Sequence, residues 1–441
     1  MNQERFNRRL FQFIQDAPTP FHCCQTMAGQ LQEAGFTRLH ERDSWNLARE
    51  HAYYLIRDNG SLIGFTLGQE DPVTSGFRML GAHTDSPALK IKPTPDQTTN
   101  SYHQLGVEPY GSPLLHTWFD RELSIGGRAC CSTSDGRIHT LLLNLHHPMA
   151  MIPSLAIHLK KDANKENPIN AQTDLPLLFS QSIPGHKEKK DLDTLVFRHL
   201  RHQYPDLGLK ELLSTDLFCY ASRPPSFFGA QNQFISSPRL DNLLSCCVGV
   251  TALTNSHRQH NTLLICSNHE EVGSTTMSGA TGSFLPSLLR RILPDHDKRQ
   301  RSLAGSFMIS MDNAHALHPN YADKSDSTHP VLLNHGPVIK TNANQRYATN
   351  SLSRSLYMMI AREAGVDTQD FVMRSDLGCG STIGPLLAAE LGLLTIDIGA
   401  PTLAMHSFRE TTGASDPAAL YTTILHFLNR STTPMESICI C

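Results

Sequence analysis

The chain has 441 residues, of which 39% are hydrophobic and 18% charged, and its formal net charge is −3. That length supports two domains, each able to bury a core. The near-neutral balance excludes the basic surface that nucleic acid or an anionic membrane would select. No apolar run approaches the roughly 18 residues of a membrane span, so no membrane partner is expected.

The first 40 residues read as two helices. Phe6, Leu10, Phe13 and Ile14 share one helical face, Pro18-Thr19-Pro20 interrupts, and Gly35 ends the second helix. Tyr53–Arg57 and Leu62–Leu67 then flank Asp58-Asn59-Gly60, a hairpin signal. Phe77–Ala82 is an apolar run leading into His83-Thr84-Asp85. From about 93 to 235 short β-like runs dominate, among them Leu123–Ile125, Ile138–Leu145 and Leu155–Leu159, with a polar, charged loop expected near 160–191. After 236 the pattern alternates: helix over Leu243–Leu253, buried strand over Thr262–Ser267, helix over Phe284–Leu293, and strands over Phe307–Met311 and Leu394–Ile398. The expected fold class is α/β, a mainly parallel sheet with helices on both faces. A catalytic domain of residues 1–92 and 236–441 would be interrupted by a β-rich insert, 93–235.

The 11 cysteines follow no zinc-ribbon or redox spacing. An odd count without a secretory leader predicts free thiols and a cytoplasmic location. The 23 histidines make imidazole–metal chemistry worth seeking.

In an open α/β sheet, ligands gather beyond the carboxyl ends of the strands. Metal-ligand residue types stand there repeatedly: His83 and Asp85, Glu270 and Glu271, Asp312, and His406, with Asp241 opening a helix. Imidazole and carboxylate are the usual donors of a catalytic zinc that keeps one position for water. A carboxylate bridging two ions lets both polarise a carbonyl and acidify a shared water. Adjacent glutamates on a regular strand would face opposite ways. Where the chain leaves the strand, Glu270-Glu271-Val272-Gly273 can turn so that one ligates while the other serves as base.

Five stretches, in order, carry a family resemblance. Gly81-Ala82-His83-Thr84-Asp85-Ser86-Pro87, Ser237-Pro238-Arg239-Leu240-Asp241-Asn242, Asn268-His269-Glu270-Glu271-Val272-Gly273-Ser274, Met311-Asp312-Asn313-Ala314-His315 and Met405-His406-Ser407 resemble the M18 metallopeptidases, the aspartyl aminopeptidases. The resemblance implies two divalent metal ions per chain, read as zinc. His83 and His406 would each hold one, Asp241 would bridge, and Glu271 and Asp312 would complete the ligand set. Glu270 would be the general base, and Asp85 would orient the His83 ring. The substrates would be peptides with a free acidic N-terminus. A homo-oligomer, a tetrahedral dodecamer, is implied, with the insert as its dimerisation domain and His158 reaching a neighbouring subunit's site.

His315 and Lys340 are further substrate-binding candidates, Lys340 because an acidic side chain entering a carboxylate-rich cleft needs a fixed cation. The blander readings are a hydrogen-bonded loop histidine and a solvated lysine. Gly378-Cys379-Gly380-Ser381-Thr382 lacks the lysine of a phosphate loop and reads as a tight turn lining the cleft. Two alternative functions stay open. One is a two-metal aminopeptidase or deacylase of different side-chain preference. The other is a catalytically silent metal-stabilised scaffold, against which Glu270 speaks, since a structural site needs no base.

Overall fold

The N-terminal helices form as their apolar spacing predicts, over Gln3–Asp16 and Pro20–Glu33. The Asn2 side chain caps the first by accepting the Arg5 N–H at 3.0 Å. The computed structural model of the chain describes residues 1–181, 191–433 and 435–438. The charged run 187–190 and Cys439 and Cys441 lie outside those residues. Contacts divide the chain into two units, Met1–Ser86 with Pro225–Met405 and Glu410–Cys441, and Pro87–Pro224 with His406–Arg409.

The first unit is built on a nine-stranded sheet. From edge to edge its strands are Thr37–Arg38, His51–Arg57, Ser61–Leu67, Thr262–Ser267, Arg78–His83, Phe307–Met311, Leu394–Gly399, Val338–Thr341 and Gln369–Val372. Five of its eight neighbouring pairs are parallel, and the hairpin supplies one of the three antiparallel ones. The turn of that hairpin carries Asp58 and Asn59 at φ 51° and 54°, a conformation these short polar side chains tolerate.

Alternation along the central strands feeds two cores. Leu264 and Cys266 pack with the helices Gln3–Asp16, Pro20–Glu33, Leu240–Asn255, Ser351–Glu363 and Asp416–Asn429. Leu263 and Ile265 pack on the other face with Phe284–Ile292 and Ile383–Leu391. A second, five-stranded sheet in this unit joins Ser226–Phe228, Phe234–Ser237, Glu410–Gly413, Pro401–Leu403 and Ala314–His315.

The other unit is a six-stranded antiparallel sheet ordered Ile138–Asn144, Leu123–Thr133, Leu209–Ala221, Ala88–Thr99, Tyr102–Tyr110 and Leu177–Gln181, with a helix over Leu192–Gln203. One expected strand is corrected. Leu155–Leu159 has the alternation of a strand but pairs with none among the described residues; it ends in a turn, with Leu155, Ile157 and Leu159 58%, 46% and 75% exposed. The nine described cysteines with an assigned state are free thiols. Among the described residues no helix is long and apolar enough to cross a membrane.

One buried cation ties the sheet to the C-terminal helix. Arg78, 3% exposed, donates through Nη1 to the Phe427 and Leu428 carbonyls at 3.1 and 3.0 Å, and through Nη2 to that of Thr432 at 3.2 Å. The first two are acceptors the helix Asp416–Asn429 leaves unmet at its C-terminus, where positive charge is favourable, and the third lies just beyond it. Burial draws the guanidinium pKa down to about 10, so it remains charged at neutral pH. Arg78→Met should therefore cost about 2–3 kcal/mol, read as a lower urea midpoint at unchanged slope. An unchanged midpoint would show that water replaces the guanidinium at no cost.

Candidate metal centre

Three adjacent parallel strands end together. Thr262–Ser267 is in register with Arg78–His83, placing Ser267 opposite His83, and Phe307–Met311 flanks the same strand on its other side. Because parallel strands present their carboxyl ends at one edge, His83, Glu270–Glu271 and Asp312 leave the sheet side by side. The chain turns out of Thr262–Ser267 through His269, at φ 63°, into a short 3-10 turn over Glu270–Val272. Asp241 comes from the first turn of Leu240–Asn255, whose cap Arg239 has φ 56°; the Asp241–Asn242 peptide is cis.

His83 is the hub. Its Nε2 lies 3.3 Å from Asp241 Oδ1, 3.5 Å from Asp312 Oδ1 and 4.0 Å from Glu270 Oε2. Donor atoms of His83, Asp241 and Asp312 fall within 4.8 Å of one another, as do those of His83, Glu270 and Glu271. A tetrahedral zinc with bonds of about 2.1 Å sets its donors roughly 3.4 Å apart, which the His83–Asp241 and His83–Asp312 spacings match.

The surroundings hold His83, Asp241 and Asp312. Asn242 Nδ2 donates to Asp312 Oδ1 at 2.8 Å and to the Met311 carbonyl at 3.1 Å. The Asp241 N–H donates to Glu410 Oε2 at 3.0 Å, and Ser86 Oγ donates to the Asp241 carbonyl at 2.6 Å. Cys246 Sγ donates to the His83 carbonyl at 3.0 Å. Lys340, 1% exposed, donates from Nζ to Asp312 Oδ2 at 3.1 Å and to the Asn313 carbonyl at 3.3 Å, with the Tyr347 ring 5.0 Å away.

Charge follows from this packing. Burial pushes Glu270 up to about 7; His83 opposes that rise, and the Asp312, Asp85 and Asp241 carboxylates add to it. Burial works against a charged His83, yet Asp241, Asp312 and Asp85 hold its pKa well above the ordinary histidine value. Burial likewise opposes ionisation of Asp312, but the Lys340 ammonium and His83 bring it far below the usual carboxylate range. A pocket with four carboxylates around one imidazole and one ammonium attracts a divalent cation.

The structure thus gathers His83, Asp85, Asp241, Glu270, Glu271, Asp312 and Lys340 in the first unit. Three further candidates remain. His315 is exposed, its ring centroid 6.0 Å from that of Phe371. His158 is exposed in the 157–159 turn of the second unit. His406 begins the 406–409 segment grouped with that unit, its Nδ1 3.1 Å from the Ser112 carbonyl. Gly378–Gly380 is irregular, and Thr382 uses its hydroxyl to donate to Asp397 at 2.7 Å. Asn242, Ser86, Cys246 and Glu410 were not foreseen as site residues. The first two stand inside the motifs and were open to inspection; nothing around Glu410 singles it out.

A family profile described as Aminopeptidase I zinc metalloprotease (M18) matches residues 13–428. A probable M18 family aminopeptidase 2 of Pseudomonas aeruginosa (strain UCBPP-PA14) is 45% identical over 428 residues, covering 97% of this chain and 99% of that protein. Among solved structures, one of the Ape4 and Nbr1 complex aligns with TM-score 0.95 and 33% identity, covering 100% of this chain and 88% of that one. The S. cerevisiae mApe1 dodecamer aligns with TM-score 0.80 and 25% identity, covering 96% of both chains. With nearly its whole length matched, the chain belongs to the M18 family of zinc metallo-aminopeptidases.

Proposed function

We propose that the protein is a two-metal aminopeptidase that removes N-terminal Asp or Glu from peptides in the cytoplasm. The observation that carries the reading is the convergence of His83, Asp241, Glu270 and Asp312, with Nε2 of His83 3.3–4.0 Å from all three carboxylates. His83, Asp241 and Asp312 would hold one zinc. Asp241 would also serve the second, with Glu271 and, by family resemblance, His406. Bound there, the ions would supply an acidified water and a polarised scissile carbonyl.

Glu270 is the general base of this reading. Its side chain is 16% exposed, reachable by a water yet shielded enough to keep its proton affinity high. It takes the proton of the attacking water and delivers it to the leaving amine. Asn242 and Lys340 hold the two oxygens of Asp312 from opposite atoms, which fixes the direction of that carboxylate.

Lys340 is also proposed to favour an acidic substrate. Asp312 and Asn313 take two of the three N–H donors of an ammonium, and the third is the one a substrate carboxylate would accept. On Lys340→Met, kcat/KM for N-terminal Asp substrates should fall about tenfold to a hundredfold, with smaller losses for Leu and Ala substrates. Equal losses across the panel would confine Lys340 to supporting Asp312.

The proposal extends to a homo-oligomer in which the β-rich insert makes the dimer contact and lends His158 to a neighbouring site. The exposed Leu155, Ile157 and Leu159 beside His158 support it, as large apolar side chains on a surface mark a contact. Mixing inactive His158→Ala and Glu270→Gln chains, with subunit exchange, should restore part of the activity. No recovery in demonstrated hybrids would contradict a role in trans.

A further inference from the structure

We propose that Asp85 is a positioning residue for the Glu270–Glu271 turn, acting through the two backbone amides of that turn. The inference rests on Glu270 as base and Glu271 as ligand. The Asp85 carboxylate is fully buried and accepts two consecutive N–H groups, that of Glu270 on Oδ1 at 3.2 Å and that of Glu271 on Oδ2 at 3.1 Å. Both oxygens are engaged, so the turn is held in direction as well as distance.

The His83 ring makes a different use of Asp85. His83 Nδ1 stands 3.1 Å from the Asp85 backbone carbonyl and 3.5 Å from its Oδ1. A carbonyl is supplied by any residue at position 85. Besides its charge beside the ring, a carboxylate adds a pair of acceptors for the N–H groups of residues 270 and 271.

The clamp is anchored at both ends. Thr84 fixes the Asp85 segment, its N–H donating to the Ser267 carbonyl at 2.8 Å and its hydroxyl to that of Gly60 at 2.6 Å. A Cβ on Gly60 would come within 2.5 Å of the Asn268 side chain, so the hairpin turn lies directly against the strand exit. Beyond it, the turn closes on itself, with Gly273 N–H donating to the Glu270 carbonyl at 2.9 Å and Ser274 N–H to that of His269 at 2.8 Å. Between these fixed points, the Asp85 carboxylate sets where the backbone of residues 270 and 271 lies, and so where their side chains start.

Asp85→Asn keeps one acceptor oxygen and turns an NH2 toward the other N–H, releasing half of the clamp. Hydrogen exchange followed by mass spectrometry should show the 268–274 fragment exchanging at least tenfold faster in Asp85→Asn than in the wild type, with the 78–84 fragment unchanged. In the folded wild type the amides of 270 and 271 should be protected. This measurement needs no folded variant and no aminopeptidase activity, so it tests the clamp even if the proposed function fails. In metal-loaded enzyme, Asp85→Asn should lower kcat about tenfold to a hundredfold with KM within about threefold, as expected of a misplaced base. Unprotected amides in the wild type or equal exchange in the variant would each overturn the proposal.

Discussion

Four carboxylates crowded around one buried imidazole set the terms for everything else in the first unit. Asp85 is fully buried, Asp241 3% exposed and His83 2%, with Glu270 and Asp312 half-buried beside them. Two like charges about 4 Å apart repel by about 4 kcal/mol at an effective dielectric of 20, well above any propensity or capping term. A fold can carry such a cluster only if its backbone is held by stronger constraints and its charge is offset. The offset within the protein is Lys340 on Asp312 and the His83 imidazole, whose proton the surrounding carboxylates favour; divalent cations bound to the same donors would add to it.

The backbone constraints come from sheet topology. Adjacent parallel strands deliver His83, the Glu270–Glu271 turn and Asp312 to one edge without any long-range loop having to be ordered. Close approach then sharpens the positions. A Cβ at Gly399 would lie 1.8 Å from the Asp312 carbonyl, so the neighbouring strand can reach Asp312 only as glycine. Two of the carboxylates also have partners that fix their direction, Asn242 and Lys340 on Asp312 and the N–H groups of residues 270 and 271 on Asp85. The charge cluster is therefore assembled by rigid elements, which suits a site whose donor distances have little tolerance.

Much of this was legible before any coordinates. Thr262–Ser267 and Phe307–Met311 are continuous apolar runs, the mark of strands buried on both faces, and they form over those residues. The ligand types immediately after them could be read because strand ends determine where a ligand binds. What stayed hidden is of two kinds. Leu155–Leu159 carries the alternation of a strand, but periodicity does not say whether a partner strand exists to accept its hydrogen bonds. Arg78, Glu410 and the Asp85 clamp act on carbonyls, N–H groups or carboxylates far away in sequence, and a single chain read locally holds no sign of such pairs. Lys340 shows the same limit: its value as a cation was foreseen, whereas its pairing with Asp312 depends on two strands separated by Leu394–Gly399 in the sheet.

The central claim is that Glu270 moves the proton while other side chains hold the metal. Metal content and turnover of Glu270→Gln, measured on the same preparation, test it most directly. The account predicts two ions per chain, as in the wild type, with hydrolysis of N-terminal Asp substrates abolished. Near-normal turnover in that variant, or loss of an ion along with the activity, would contradict it.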